Sequence, residues 1–219
     1  MASYMKFIKV SKLLMALILP FVLILLIIDF IGFSGYFYGK KFQEYGIGQN
    51  VPSADVLHEK VMDFIRGASG ELPDAFSQRE KQHLWDVRKL ANILKIALYA
   101  LIALFALLLI GSALALKAGS RIINFFGGAL AFGGILSFAL AAFLLLLISF
   151  GFSSAFESFH HLFFQEGTYT FDPSIEMLVR IYPEQLFIGL GMAISKWFLI
   201  SSALAALSGA FLILKSKNK

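Results

Sequence analysis

Histidine is the side chain best suited to proton transfer near neutral pH, because an unperturbed imidazole titrates close to that range. The chain has four: His58, His83, His160 and His161. All four fall in the two polar connections between long apolar runs. Every Asp and Glu, from Asp29 to Glu184, falls there too. The faces of a membrane protein are normally both wetted by mixed charge, so this confinement points to chemistry on one side. Acid–base catalysis is one reading. The other is that interfacial histidines are simply polar residues near headgroups.

Other chemistries are less well supported. His83 and Asp86 form an i,i+3 pair on one helical face, and His160 or His161 could add a metal ligand. No HExxH or comparable spacing occurs, and adjacent residues such as His160 and His161 point in two directions on a helix, so no metal is expected. No GxSxG motif occurs, and Ser153, Ser154 and Ser158 read as ordinary polar positions beside a membrane. The absence of cysteine excludes disulfides, thiolate zinc sites, a cysteine nucleophile and lipidation of the chain's own cysteines. Arg180 and Tyr182 could bind a phosphate or polarise a carbonyl. They could equally pair with Glu184 or Asp172 and hold a loop.

The elements that position these residues follow from hydropathy. The chain has 219 residues, 58% of them hydrophobic, and a mean hydropathy of +0.78. A soluble domain of this length cannot hide that much apolar surface, so a bilayer is the expected solvent. Four apolar stretches, about 13–28, 93–116, 122–149 and 192–214, approach the ~20 residues needed to cross hydrocarbon as a helix. The chain therefore reads as a single integral membrane domain over 1–219, an all-α polytopic membrane protein. Pro20 is tolerable inside a spanning helix. No clean small-x-small cleavage site follows the first stretch, so it reads as an uncleaved helix rather than a signal peptide. Gly127-Gly128 and Gly133-Gly134 read as close helix packing. Lys196 reads as a lysine snorkelling at the boundary of the fourth span, since Trp197–Leu214 is nearly long enough to cross.

Charge sets the expected orientation. Lys6, Lys9 and Lys12, then Lys117 and Arg121, then Lys215, Lys217 and Lys219 form three basic clusters with no acid among them. The positive-inside rule makes these cytoplasmic, with both termini inside and connections 29–92 and 150–190 outside the plasma membrane. The net charge of +5 then reflects topological anchoring, and no nucleic-acid partner is expected.

The outer connections read as a small, mostly helical extracytoplasmic cap. Ser53 can cap a helix in which Leu57, Val61, Phe64 and Ile65 repeat at helical spacing. Gly67 to Pro73 breaks the chain. Ser77-Gln78-Arg79-Glu80 is a capping box, and the helix it starts meets no breaker before Leu116. Tyr169-Thr170-Phe171-Asp172-Pro173 suggests a short β segment ending in a turn. The second and third spans are joined by a short loop and should form an antiparallel hairpin. His83 and His160 would then lie at comparable height, on ~15 Å of outward helix at ~1.5 Å per residue unless tilt or a break lowers them.

Two motifs carry a resemblance. Gln82-His83-Leu84-Trp85-Asp86-Val87 precedes the second span. Phe159-His160-His161-Leu162-Phe163-Phe164 follows the third, with Phe171-Asp172-Pro173 and Ile181-Tyr182-Pro183-Glu184-Gln185 beyond it. In order and spacing, over nearly the whole chain, they resemble the bacterial lipoprotein intramolecular transacylase family. The resemblance implies transfer of the sn-2 acyl group of a diacylglyceryl-cysteine to the α-amino group of the same cysteine. It implies His83 and His160 as catalytic residues. Beside them, His161, Asp86, Tyr169, Arg180 and Tyr182 are candidates for binding the substrate. Neither a cofactor nor a covalent enzyme intermediate is needed. The implied partner is a diacylglyceryl-lipoprotein in the outer leaflet, surrounded by membrane lipids; the oligomeric state stays open. Gln165-Glu166-Gly167-Thr168-Tyr169 and Ser174-Ile175-Glu176-Met177 depart from the family pattern, which bears on substrate identity rather than fold. A non-catalytic transporter or assembly protein with a partner-binding cap is the alternative. It predicts polar residues inside the spans, where only Asn124 and scattered serines occur. A metal-dependent membrane hydrolase would lose activity to chelators and regain it with zinc.

Overall fold

The computed structural model describes residues 2–117, 119–165 and 167–218. Glu166, in one of the departing stretches, and Lys219, in the third basic cluster, lie outside the described residues. Eight helices are described: α1 (Ala2–Gly32), α2 (Gly35–Glu44), α3 (Ile47–Asn50), α4 (Ala54–Arg66), α5 (Gln78–Leu116), α6 (Gly119–Phe163), α7 (Met177–Ile181) and α8 (Glu184–Lys217). Helices α1, α5, α6 and α8 are long and apolar enough to cross a membrane. At 31, 39, 45 and 34 residues, each exceeds the ~20 that hydrocarbon requires. The chain folds into two compact units. One comprises Met1–Ile28, Ile96–Leu145 and Ile194–Lys219; the other comprises Asp29–Lys95 and Leu146–Ala193.

The first unit is a helix bundle whose contacts depend on missing side chains. A Cβ on Gly127 would lie 2.9 Å from the Gly209 carbonyl oxygen of α8, and one on Gly133 would lie 2.9 Å from the Ala16 carbonyl of α1. Gly134 meets the Ala206 backbone just as closely. In hydrocarbon, association depends on van der Waals contact rather than apolar burial, so backbone approach at small residues supplies the packing. Gly127, Gly133 and Gly134 therefore serve as expected, whereas Gly128 faces the end of the Lys12 side chain. Lys196 is exposed.

The second unit has its own core, built mainly from α2, α3, α4, α7 and the first turns of α5. Leu57, Val61, Phe64 and Ile65 of α4 are all buried, as their spacing predicts. The helix stops at Gly67, which adopts φ +83° and donates its N–H to the Asp63 and Phe64 carbonyls. Ser53 stands at the N-cap as expected, but its side chain makes no capping bond. The capping box at α5 does form. Ser77 N–H donates to Glu80 Oε2 at 2.6 Å and Glu80 N–H to Ser77 Oγ at 3.3 Å. The helix then runs unbroken to Leu116. Helix α6 is interrupted once, at Gly151, where φ −143° and ψ 28° leave the helical region.

The expected β segment is absent: no strand occurs among the described residues. Side chains take the backbone donors that a ladder would need. Asp172 N–H donates to Glu176 Oε2 at 2.7 Å, and Asp172 Oδ1 accepts from the Ser174 N–H at 2.8 Å. This Asx turn folds the aromatic run into a tight loop.

Candidate active site

His83 lies on α5 and His160 on α6, both within the second unit. Their rings approach to 6.0 Å between centroids and are nearly parallel at 19°. Each residue is buried, with 7% and 8% of its surface exposed. Helical periodicity builds much of the enclosure. Phe156 and Phe164, one turn to either side of His160, pack against its ring at 4.1 and 5.3 Å. Phe164 also reaches His83 at 4.8 Å. Phe171, from the turn after α6, meets His83 edge-on at 5.5 Å, and Tyr169 lies 5.1 Å from His160.

This apolar enclosure keeps both rings neutral. Burial, helped by the neighbouring His160 and partly opposed by Asp86, lowers the His83 pKa to about 4. Burial also lowers the His160 pKa, with the Phe156 carbonyl acting in the other direction. The Nδ1 of His160 donates to that carbonyl at 2.7 Å. A carbonyl can only accept, so the neutral ring carries its lone pair on Nε2. The Nδ1 of His83 is buried and has no hydrogen-bond partner among the described residues. The site thus contains two imidazoles able to take up protons where little water competes.

A polar clamp holds the turn against His83. Arg79 makes a forked pair with Glu176, with Nη2 2.6 Å from Oε2 and Nε 3.1 Å from Oε1. Arg79 also covers the Phe171 ring at 5.2 Å. Glu80, 1% exposed, accepts the Leu178 N–H as well as the capping-box donor. The first turn of α5 therefore fixes residues 171–178 at two points. Arg79, Phe156, Phe164 and Phe171 were not among the site residues expected from sequence, although Arg79 lies in the capping box and Phe164 and Phe171 lie in the motifs. The i,i+4 spacing of Phe156, His160 and Phe164 was the available signal.

The remaining candidates separate. His161 is half exposed, Nδ1 lies 2.9 Å from the Tyr169 hydroxyl and Nε2 lies 3.7 Å from Glu157. Tyr169 thus borders both histidines. Asp86 pairs with Lys89 at 3.0 Å. Arg180 and Tyr182 pair with neither Glu184 nor Asp172 among the described hydrogen bonds. Arg180 donates to the Asn50 carbonyl at 3.3 Å. Tyr182 is buried, with its hydroxyl 2.9 Å from His58 Nδ1. Burial lowers the His58 pKa to about 4 and raises that of Tyr182 well above its usual value. Ser153 donates to Glu184 and Ser158 to the Ser154 carbonyl, so neither is paired with a histidine base. Among the described residues, no group of three or more His, Cys, Asp or Glu side chains could hold a metal ion.

Four apolar helices long enough to cross a membrane, with two buried histidines paired in a helical unit, define the class of a polytopic helical membrane protein. Residues 13–187 match the family model of the lipoprotein intramolecular transacylase Lit. The chain belongs to that family, whose members are acyltransferases. The fold is similar to the in meso structure of the membrane-integral Lit from Bacillus cereus, with a TM-score of 0.84 and 20% identity over 97% of this chain and 98% of that one. Two structures of that protein with single histidine substitutions also match. The histidine-to-arginine variant has a TM-score of 0.77, 19% identity and coverage of 96% and 93%. The histidine-to-alanine variant has 0.78, 19%, and 97% and 96%. No curated protein matches the sequence.

Proposed function

We propose that the chain transfers the sn-2 acyl group of a diacylglyceryl-lipoprotein to the α-amino group of its own N-terminal cysteine, with His83 and His160 moving the protons. The observation that carries this reading is the pair of neutral, buried imidazoles 6.0 Å apart, built on a chain of the transacylase family. An α-amino group has a pKa of about 7.7–8.0, so part of it is uncharged at neutral pH. The free amine attacks the ester carbonyl, forming the C–N bond. His160 Nε2 accepts the proton that the nitrogen must lose. That proton passes to His83, and as the bond between the carbonyl carbon and the glycerol oxygen breaks, the protonated His83 delivers it to that oxygen. The proton that leaves nitrogen is the one that reaches oxygen, so both rings end neutral, as they began. Both reacting groups belong to one substrate, which supplies the effective concentration.

Asp86, His161, Tyr169 and Arg180 border the substrate in this proposal, and Tyr182 packs against His58. The three acid-free basic clusters support cytoplasmic termini and an extracytoplasmic active face. The test is mass spectrometry of the N-terminal lipopeptide of a reporter lipoprotein in cells with the protein, without it, or with His83→Ala or His160→Ala. An N-acyl, monoacylglyceryl cysteine is expected only with the intact protein, and each variant should lower its formation by about 10²- to 10⁴-fold. An unchanged diacylglyceryl cysteine with the protein correctly inserted would refute the proposal.

A further inference from the structure

The first unit contains a basic cleft that the proposed chemistry does not use. It has a volume of about 450 Å³ and is lined by Lys9, Lys12, Arg121 and Lys217, together with the polar side chains of Ser120, Asn124 and Ser216. These residues come from α1, α6 and α8, so the cleft is built by the tertiary fold. The three sequence stretches of this unit contain no Asp or Glu at all. Four cations therefore face one cleft with no carboxylate side chain in their unit to neutralise them.

Two local features favour a defined site over a loose surface patch. Gly128 of α6 leaves open the space where a Cβ would collide with Cε and Nζ of Lys12, so the lysine end is seated against the helix. Asn124 Nδ2 donates to Ser216 Oγ at 3.1 Å, joining α6 to α8 and fixing the polar wall. Apolar atoms of Ile8, Leu116 and Phe125 complete the lining. Cations, short polar side chains and an apolar edge together suit a phosphate group whose source carries acyl chains.

We propose that this cleft is a binding site for a phosphate group, carried by an anionic lipid headgroup or free in solution. Native mass spectrometry and thermal unfolding of the full chain in neutral detergent test it. The probes are dioleoyl-phosphatidylglycerol, dioleoyl-phosphatidylcholine and inorganic phosphate. Preferential retention of phosphatidylglycerol over phosphatidylcholine, weakened by added salt, supports a lipid source. Stabilisation by inorganic phosphate without preference between the lipids supports a free-phosphate source. Equal retention of both lipids with no effect of phosphate overturns the site.

The variants locate the effect. Each cation removed should weaken binding about fivefold, so Lys12→Gln combined with Arg121→Gln should lose most of the preference. Lys12→Arg should keep it, and so should Lys196→Gln, which removes a cation outside the cleft. If the double variant does not fold, Gly128→Ala provides the second test. It leaves every charge in place and displaces only the Lys12 ammonium, so binding should weaken. An undiminished preference in the double variant or in Gly128→Ala overturns the proposal.

Discussion

His160 and His161 are neighbours in sequence with opposite surroundings. Successive residues on a helix point about 100° apart, so His160 turns into the aromatic enclosure while His161 stays half exposed beside Tyr169 and Glu157. That difference leads to a prediction about the rings themselves. An ordinary histidine takes up its proton as the pH falls through about 6.5. His83 has its pKa lowered to about 4 and that of His160 is lowered as well, so both rings should stay neutral to lower pH. The substrate amine gives kcat/KM an acid limb of its own, so the rings are read directly, by NMR of imidazole-labelled protein in detergent, and both should titrate well below about 6.5. A ring that takes up its proton at about 6.5 or above would contradict neutral, buried histidines. That the two histidine motifs lie near one another was legible from topology, because a short loop returns α6 beside α5; their proposed role came from the family resemblance. Phe171 as a wall of His83 was not, because its position depends on Glu176 and Arg79 rather than on any local pattern.

Helix α5 performs two tasks at its first turn. Glu80 satisfies its own helix start and also receives the Leu178 N–H, while Arg79 holds Glu176. Arg79→Ala would leave a buried carboxylate without its forked donor. The expected cost is about 1–3 kcal/mol, read as a lower melting temperature, together with slower turnover as Phe171 loses its support. Unchanged turnover at full stability would show that the clamp does not position the turn. Helix α4 contributes only to the core. Phe64 is 1% exposed and meets Trp85 edge-on at 5.2 Å, so Phe64→Ala should cost about 3–5 kcal/mol, measured by unfolding in detergent. The apolar spacing of α4 and the capping box of α5 were legible because both are local. The β reading of residues 169–173 failed because Asp172, Ser174 and Glu176 satisfy the backbone themselves, and propensity does not register such competition.

Buried neutral histidines also couple the whole molecule to pH. His58 and His83 both have folded pKa values near 4, against about 6.5 when unfolded. Between those values the unfolded chain binds more protons. Their contribution to stability is therefore fully present above about pH 6.5 and is lost as the pH falls towards 4. The melting temperature should drop steadily from pH 7 to pH 5, and a flat profile would contradict the burial of both rings. Hydropathy, positive charge and capping signals, read from the sequence alone, determined four apolar helices, a clustering of basic residues away from all acids, and two histidine motifs. They could do so because each depends on composition or on residues a few positions apart. Only the tertiary structure decided that His83 and His160 share one aromatic enclosure, that Tyr182 belongs to His58, and that four cations surround one cleft. Those arrangements join side chains from distant helices, and their direction is set by packing that no local spacing encodes.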